Sequence, residues 1–153
     1  MTDTAAAPVP FGRQLGETER AARLLLNAVL ARSGTTFERW VALNSLAIQG
    51  GAVRRDRLQH ELAAGLESDT STIAALLAEL ADDDLIDESA VPGEPDTKQI
   101  DLTEQGCALY RRLADTVAHT TTQVLSGLDP DDVRVTSRVL SQVKERASAL
   151  RGD

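Results

Sequence analysis

The chain has 153 residues, 42% of them hydrophobic but only 3% aromatic, and a net charge of −8. That length fits one domain burying roughly two-thirds of its unfolded surface, around a core that must be aliphatic. No apolar run approaches the roughly 20 residues a membrane helix needs, no basic-then-apolar leader opens the chain, and a lone Cys107 excludes an internal disulfide or thiolate cluster.

The expectation is a cytoplasmic protein with no cofactor, no metal and no membrane association. Its charge is unevenly placed. Residues 1–55 carry seven basic and four acidic side chains, residues 56–97 one basic and twelve acidic, and residues 98–153 eight of each.

Residues 1–12, with Pro8, Pro10 and Gly12, read as a mobile tail. Leu15, Ala22, Leu25, Leu26, Val29 and Leu30 recur at helical spacing and predict a helix over about 15–31. SGTT at 33–36 breaks it. Thr36 caps a second helix, with Phe37, Trp40, Val41, Leu43, Leu46 and Ala47 inward, and Gly50 and Gly51 end it. A third helix spans 54–66 with Leu58, Leu62 and Ala63 on one side, and ESDT at 67–70 is a short turn. From Ser71 a fourth helix sets Ile73, Leu76, Leu77 and Leu80 inward. It stops at the aspartates 82–84, where Asp84 suits a left-handed terminal conformation.

Leu85 and Ile86, then Pro92, Gly93 and Pro95, then KQIDLT at 98–103 read as two short strands around a turn. Thr103 and EQG start a long helix to about 125, and Asp129 before Pro130 opens a last one to about 150. The order predicts a mainly helical chain with a small β-hairpin wing: a winged helix-turn-helix flanked by N- and C-terminal helices.

TFERWVALNSLA at 36–47, STIAALLAELADDDLI at 71–86, a wing of seventeen residues at 87–103 closing on LTEQG at 102–106, and LSGLDPDDV at 125–133 occur in that order. Together they resemble the MarR transcription regulators over nearly the whole chain. The resemblance implies a single domain in which 13–34 and 103–153 are dimerisation helices around a winged lobe at 35–102. It further implies a homodimer that reads a palindromic operator in double-stranded DNA, a repressor relieved by a small-molecule effector. Two departures fall on DNA-facing positions. The family often carries Arg where this chain has Ala75 and Glu79, and its wing carries an arginine tip where this chain has VPGEPDTK at 91–98, with Glu94, Pro95 and Asp96 at the tip. These changes imply weaker affinity than the family norm. They also open a second reading, a MarR-like scaffold with weak or lost DNA binding that acts through its acidic face on a protein partner.

Asp69, Thr70, Ser71 and Thr72 stand at the start of the recognition helix, where hydroxyls bond phosphates or base edges and free amides favour a phosphate. Arg54, Arg55 and Arg57 occupy positions where the family touches the DNA backbone, and Lys98 is the basic residue of the wing. With Ala75 these make up the candidate DNA contacts. Trp40 and Tyr110 are candidates to line the family's effector pocket, and Trp40 also suits the core. Cys107, His60 and His119 lack metal-ligand spacing and read as a packed thiol and packed or surface imidazoles. No nucleophile elbow or phosphate-binding glycine loop occurs, so an enzyme is not expected.

Overall fold

A computed structural model of the chain describes residues 10–152. The expected tail at 1–9 lies outside the described residues, and Phe11 and Gly12, assigned to it, belong to a helix. Among the described residues the elements are α1 (Phe11–Arg32), α2 (Phe37–Gln49), β1 (Val53–Arg54), α3 (Arg55–Gly65), α4 (Thr70–Asp82), β2 (Ile86–Val91), β3 (Glu94–Leu102), α5 (Glu104–Leu125) and α6 (Pro130–Arg151). None of these helices is long and apolar enough to cross a membrane.

The helix ends follow local chemistry. α1 starts before its apolar periodicity does, because the Pro10 carbonyl accepts the amides of Arg13 and Gln14 at 2.9 and 3.2 Å. The Thr36 hydroxyl accepts the Arg39 N–H at 3.3 Å and starts α2, which ends on Gly50 at φ +70°. Asp129 caps α6 through the Asp131 N–H at 2.8 Å, with Pro130 in the first turn.

The chain forms two compact units, Met1–Val117 and Ala118–Asp153. The first holds the core, in which Leu30, Leu43, Leu58, Leu62, Leu80, Ile100 and Leu113 are buried together. Ile73, Leu76, Leu77 and Leu80, the inward set expected of α4, are all buried. The Trp40 and Tyr110 rings stack at 5.7 Å between centroids and 11° between planes, joining α2 to α5. The second unit is different. α6 buries none of its residues, and Val135, Val139, Leu140 and Leu150 are exposed.

The sheet runs β1-β3-β2, with both pairings antiparallel. Three expectations need correction here. Arg54 lies in β1, not in the third helix, and pairs with Gln99 while the buried Val53 pairs with Ile100. A strand of two residues is too short to show a period. Thr70 belongs to α4 rather than to the turn before it. The wing turns at Pro92 and Gly93, the latter at φ +84°, so Glu94, Pro95 and Asp96 run into β3 instead of forming the tip. Pro followed by a left-handed Gly suits a tight turn better than the acidic residues do.

Asp84 takes the expected left-handed conformation at φ +56°, and the chain is tied down immediately after it. The Thr103 hydroxyl donates to the Asp84 carbonyl at 2.5 Å and accepts the Gly106 N–H at 2.9 Å. The Thr103 N–H reaches the Leu85 carbonyl at 3.1 Å, and the Gln105 amide donates to the Asp83 carbonyl at 3.1 Å. A Cβ on Gly106 would run into the Leu85 carbonyl oxygen. The LTEQG motif is thus a cap, a carbonyl clamp and a glycine that lets the two backbones meet. Gly106→Ala is expected to cost about 1–3 kcal/mol by forcing them apart, and Leu80→Ala about 2–5 kcal/mol by opening a cavity. Denaturant unfolding checks both, and unchanged midpoints would contradict this packing.

Candidate nucleic-acid interface

α3 and α4 form a helix-turn-helix whose turn holds Glu67 at φ +51°. The Gln59 side-chain amide donates to the Thr70 carbonyl at 2.6 Å and ties the two helices together. Asp69 caps α4. Its Oδ1 accepts the Thr72 N–H at 2.8 Å and the Ser71 hydroxyl at 2.6 Å, while its Oδ2 accepts the Thr72 hydroxyl at 3.1 Å. These donors, the Ser71 hydroxyl first, hold the Asp69 carboxyl down at about 2. The Ser71 and Thr72 hydroxyls, expected to donate to DNA, therefore spend their protons on Asp69 and turn only lone pairs outward.

Opposite the buried stripe of α4 stand Ser71, Ala75, Ala78 and Asp82, all exposed. Thr72, Ala75 and Glu79 border a cleft of about 260 Å³ shared with Thr36, Glu38, Arg39 and Ser68. Of the aspartates ending the helix, Asp83 pairs with Arg39 at 2.5 Å, so part of the acid is answered from α2.

The arginines at the start of α3 are also answered. Arg54 lies 3.4 Å from Asp56 and 3.1 Å from Glu94. Its pKa is pushed up, chiefly by Asp56 and then by Glu94. The Asp56 carboxyl is held below the usual range, first by the Arg57 N–H and then by Arg54. Arg55 Nε is 3.0 Å from Glu88 Oε2, though not aligned as a hydrogen bond, so the contact is mainly coulombic. Arg54, Arg55 and Lys98 meet in one groove of about 260 Å³ with Asp56, Gln59, Asp96 and Thr97. Arg57 and Lys98 are exposed and make no ion pair among the described residues. The structure thus brings three of the four expected cations together, and sets two carboxylates against them: Glu94, which the sequence placed at the wing tip, and Glu88, which sequence reasoning missed. Only the folding of the wing onto α3 puts them there.

A separate cleft of about 440 Å³ is lined by Leu46, Ala47, Gly50, Gly51, Asp101, Leu102, Cys107, Tyr110 and Arg111. Tyr110, one of the two residues proposed for an effector pocket, is among them. Trp40 does not line this cleft, being buried in the core against Tyr110. His60 is exposed, with Nδ1 2.8 Å from the Asp56 carbonyl. No cluster of His, Cys, Asp or Glu suits a metal ion among the described residues.

No family model matches the sequence. Solved structures do. The transcriptional regulator PA3341 superposes with a TM-score of 0.77 at 28% identity, over 92% of this chain and 99% of that one. A mutant MarR from E. coli complexed with operator DNA gives 0.71 at 20%, over 93% and 99%. The PcaV regulator from Streptomyces coelicolor, in complex with its natural ligand, gives 0.67 at 25%, over 96% and 98%. The chain has the winged-helix fold of the MarR transcription regulators.

The Asp69 cap has a pH signature. Its carboxyl is lower in the folded chain, so the stability it adds is present above the free carboxylate value near ~3.9 and is lost as pH falls toward about 2. Asp69→Ala is expected to lower the melting temperature at pH 7. Between about pH 4 and pH 2 that gap should close. A gap that persists at the acid end would remove the cap from this account.

Proposed function

We propose that the protein is a homodimeric, DNA-binding transcription regulator of MarR type, a cytoplasmic repressor relieved by a small ligand. The observation that carries this reading is α4, a capped helix beside a three-stranded wing, whose outward side chains at 71, 75 and 78 are short enough for close approach to a groove. Its support from known proteins is the fold shared with a MarR complexed with operator DNA and with PcaV in complex with its natural ligand.

The apolar residues exposed on α1, Phe11, Leu15, Leu24 and Leu25, and on α6, Val135, Val139 and Leu140, favour cover by a second copy. Segments 13–34 and 103–153 would then be the dimerisation helices. Two α4 helices about one DNA turn, ~34 Å, apart would read a palindrome. A ligand bound beside Tyr110 and Arg111 in the larger cleft would bias that spacing and release the DNA. Sedimentation at micromolar concentration is expected to give about twice the 16.4 kDa chain mass. A clean monomer would remove the paired-helix mechanism.

The electrostatics favour weak, shallow salt dependence. Each phosphate neutralised contributes about −0.9 to the slope of log K against log salt. Arg57 and Lys98 alone, from both subunits, give a slope near about −4; recruiting Arg54 and Arg55 from their carboxylates raises it to about −7. Glu88→Gln and Glu94→Gln free Arg55 and leave Arg54 only its Asp56 contact, so the double variant should bind more tightly and with a steeper slope. The test is a genomic-fragment selection at low salt, then a salt titration of wild type and variant on the fragment recovered.

The twelve acidic residues against one basic in 56–97 favour a second reading, the scaffold that docks a basic protein through this face. It takes over if no duplex is retained at ~50 mM salt by either form, a concentration at which phosphate contacts are strong.

A further inference from the structure

We infer that Ala75 and Ala78 make this protein a reader of thymine methyl groups, with guanine contributing little to its choice of site. The inference rests on the DNA-binding reading above and concerns what α4 recognises once in the groove.

Guanine shows two acceptors in the major groove, O6 and N7, and is read by donors, most often Arg or Lys. α4 has neither. The protons of the Ser71 and Thr72 hydroxyls go to Asp69, at 2.6 and 3.1 Å. The Gln59 amide, reaching from α3 to the start of α4, gives one of its two N–H groups to the Thr70 carbonyl at 2.6 Å. Among the described side chains of α4 this leaves the Thr70 hydroxyl as the one uncommitted donor. The rest of the exposed face offers methyl groups and carboxylates: Ala75, Ala78, Glu79 and Asp82.

The groove features that match a methyl group are the thymine C5-methyls. Ala75 and Ala78 lie three residues apart on the stripe opposite the buried one, so their Cβ atoms are about 5–6 Å apart. Bases on one strand are stacked about 3.4 Å apart. Two thymines one or two steps apart therefore meet the two methyl groups together. Alanine also brings the helix backbone closer to the base edges than any longer side chain would, and it adds no charge. The carboxylates at 79 and 82 repel phosphates and tip the approach toward the helix N-terminus, where Ala75 and Ala78 follow Ser71.

The test uses the full-length protein and a duplex recovered by the genomic selection, with half-sites mapped by footprinting. Thymines are replaced one at a time by uracil, which removes only the 5-methyl group. Guanines are replaced by 7-deazaguanine, which removes only N7. One or two uracils per half-site are expected to weaken binding about fourfold each, the factor that burying one methyl-sized group carries. The 7-deazaguanine series should bind like the parent. In Ala75→Gly and Ala78→Gly, checked for folding by thermal melt, the uracil penalty should vanish at the matching thymine. A duplex bound at parent affinity by the whole uracil series overturns the inference and leaves the regulator reading standing. So does a tenfold loss in the deazaguanine series. If no duplex is retained at low salt, the regulator reading falls, and this inference falls with it.

Discussion

The carbonyls of Asp83, Asp84 and Leu85 leave the end of α4 without helical partners, and each is met from the start of α5. The Gln105 amide, the Thr103 hydroxyl and the Thr103 N–H meet them in turn. Helix ends expose carbonyls that must be satisfied, and here the satisfying groups come from eighteen to twenty-two residues downstream. The clamp works only because position 106 has no side chain to collide with Leu85. It fixes the direction in which the chain leaves α4, and with it the pairing of Ile86 with Leu102 that starts the wing.

The wing in turn sets the electrostatics. Once Glu88 stands opposite Ile100 and β3 runs back to Glu94, both carboxylates reach the arginines at the start of α3. The acidity of the middle segment is therefore partly internal. Asp69 is spent on the α4 cap, Asp83 on Arg39, and Asp56, Glu88 and Glu94 on Arg54 and Arg55. Exposed ion pairs of this kind are individually weak, so a phosphate competes with them on nearly equal terms. In the proposed complex the wing carboxylates act as competitors for DNA and not as a uniform repulsive surface.

In that complex the same economy would apply to α4. A surface with few free cations gains little from long-range attraction, which leaves short-range fit to discriminate between sites. Small side chains on the outward stripe of α4 suit that role, because they let backbone and Cβ atoms come close to base edges. The cap at Asp69 stiffens the N-terminal end of α4 by engaging both neighbouring hydroxyls.

Much of the fold was legible because helices declare themselves within one or two turns. The spacing of Ile73, Leu76, Leu77 and Leu80 identified the buried face of α4, and Thr36, Gly50, Asp84 and Asp129 marked ends through side-chain or backbone preferences that act over three or four residues. The order of those elements, with LTEQG, carried the resemblance to the fold. Tertiary structure decided the rest. β1 is two residues long and exists only because β3 lies beside it. The contact of Arg54 with Glu94 spans forty positions and needs the wing in place. Ser71 and Thr72, read as free donors in the sequence, are instead committed to Asp69 by a local cap over two and three residues, so that miss was one of local chemistry. Periodicity and capping are local and survive in the sequence, whereas the ion pairs that Glu88 and Glu94 make with Arg55 and Arg54 depend on strands that pair only in the folded chain.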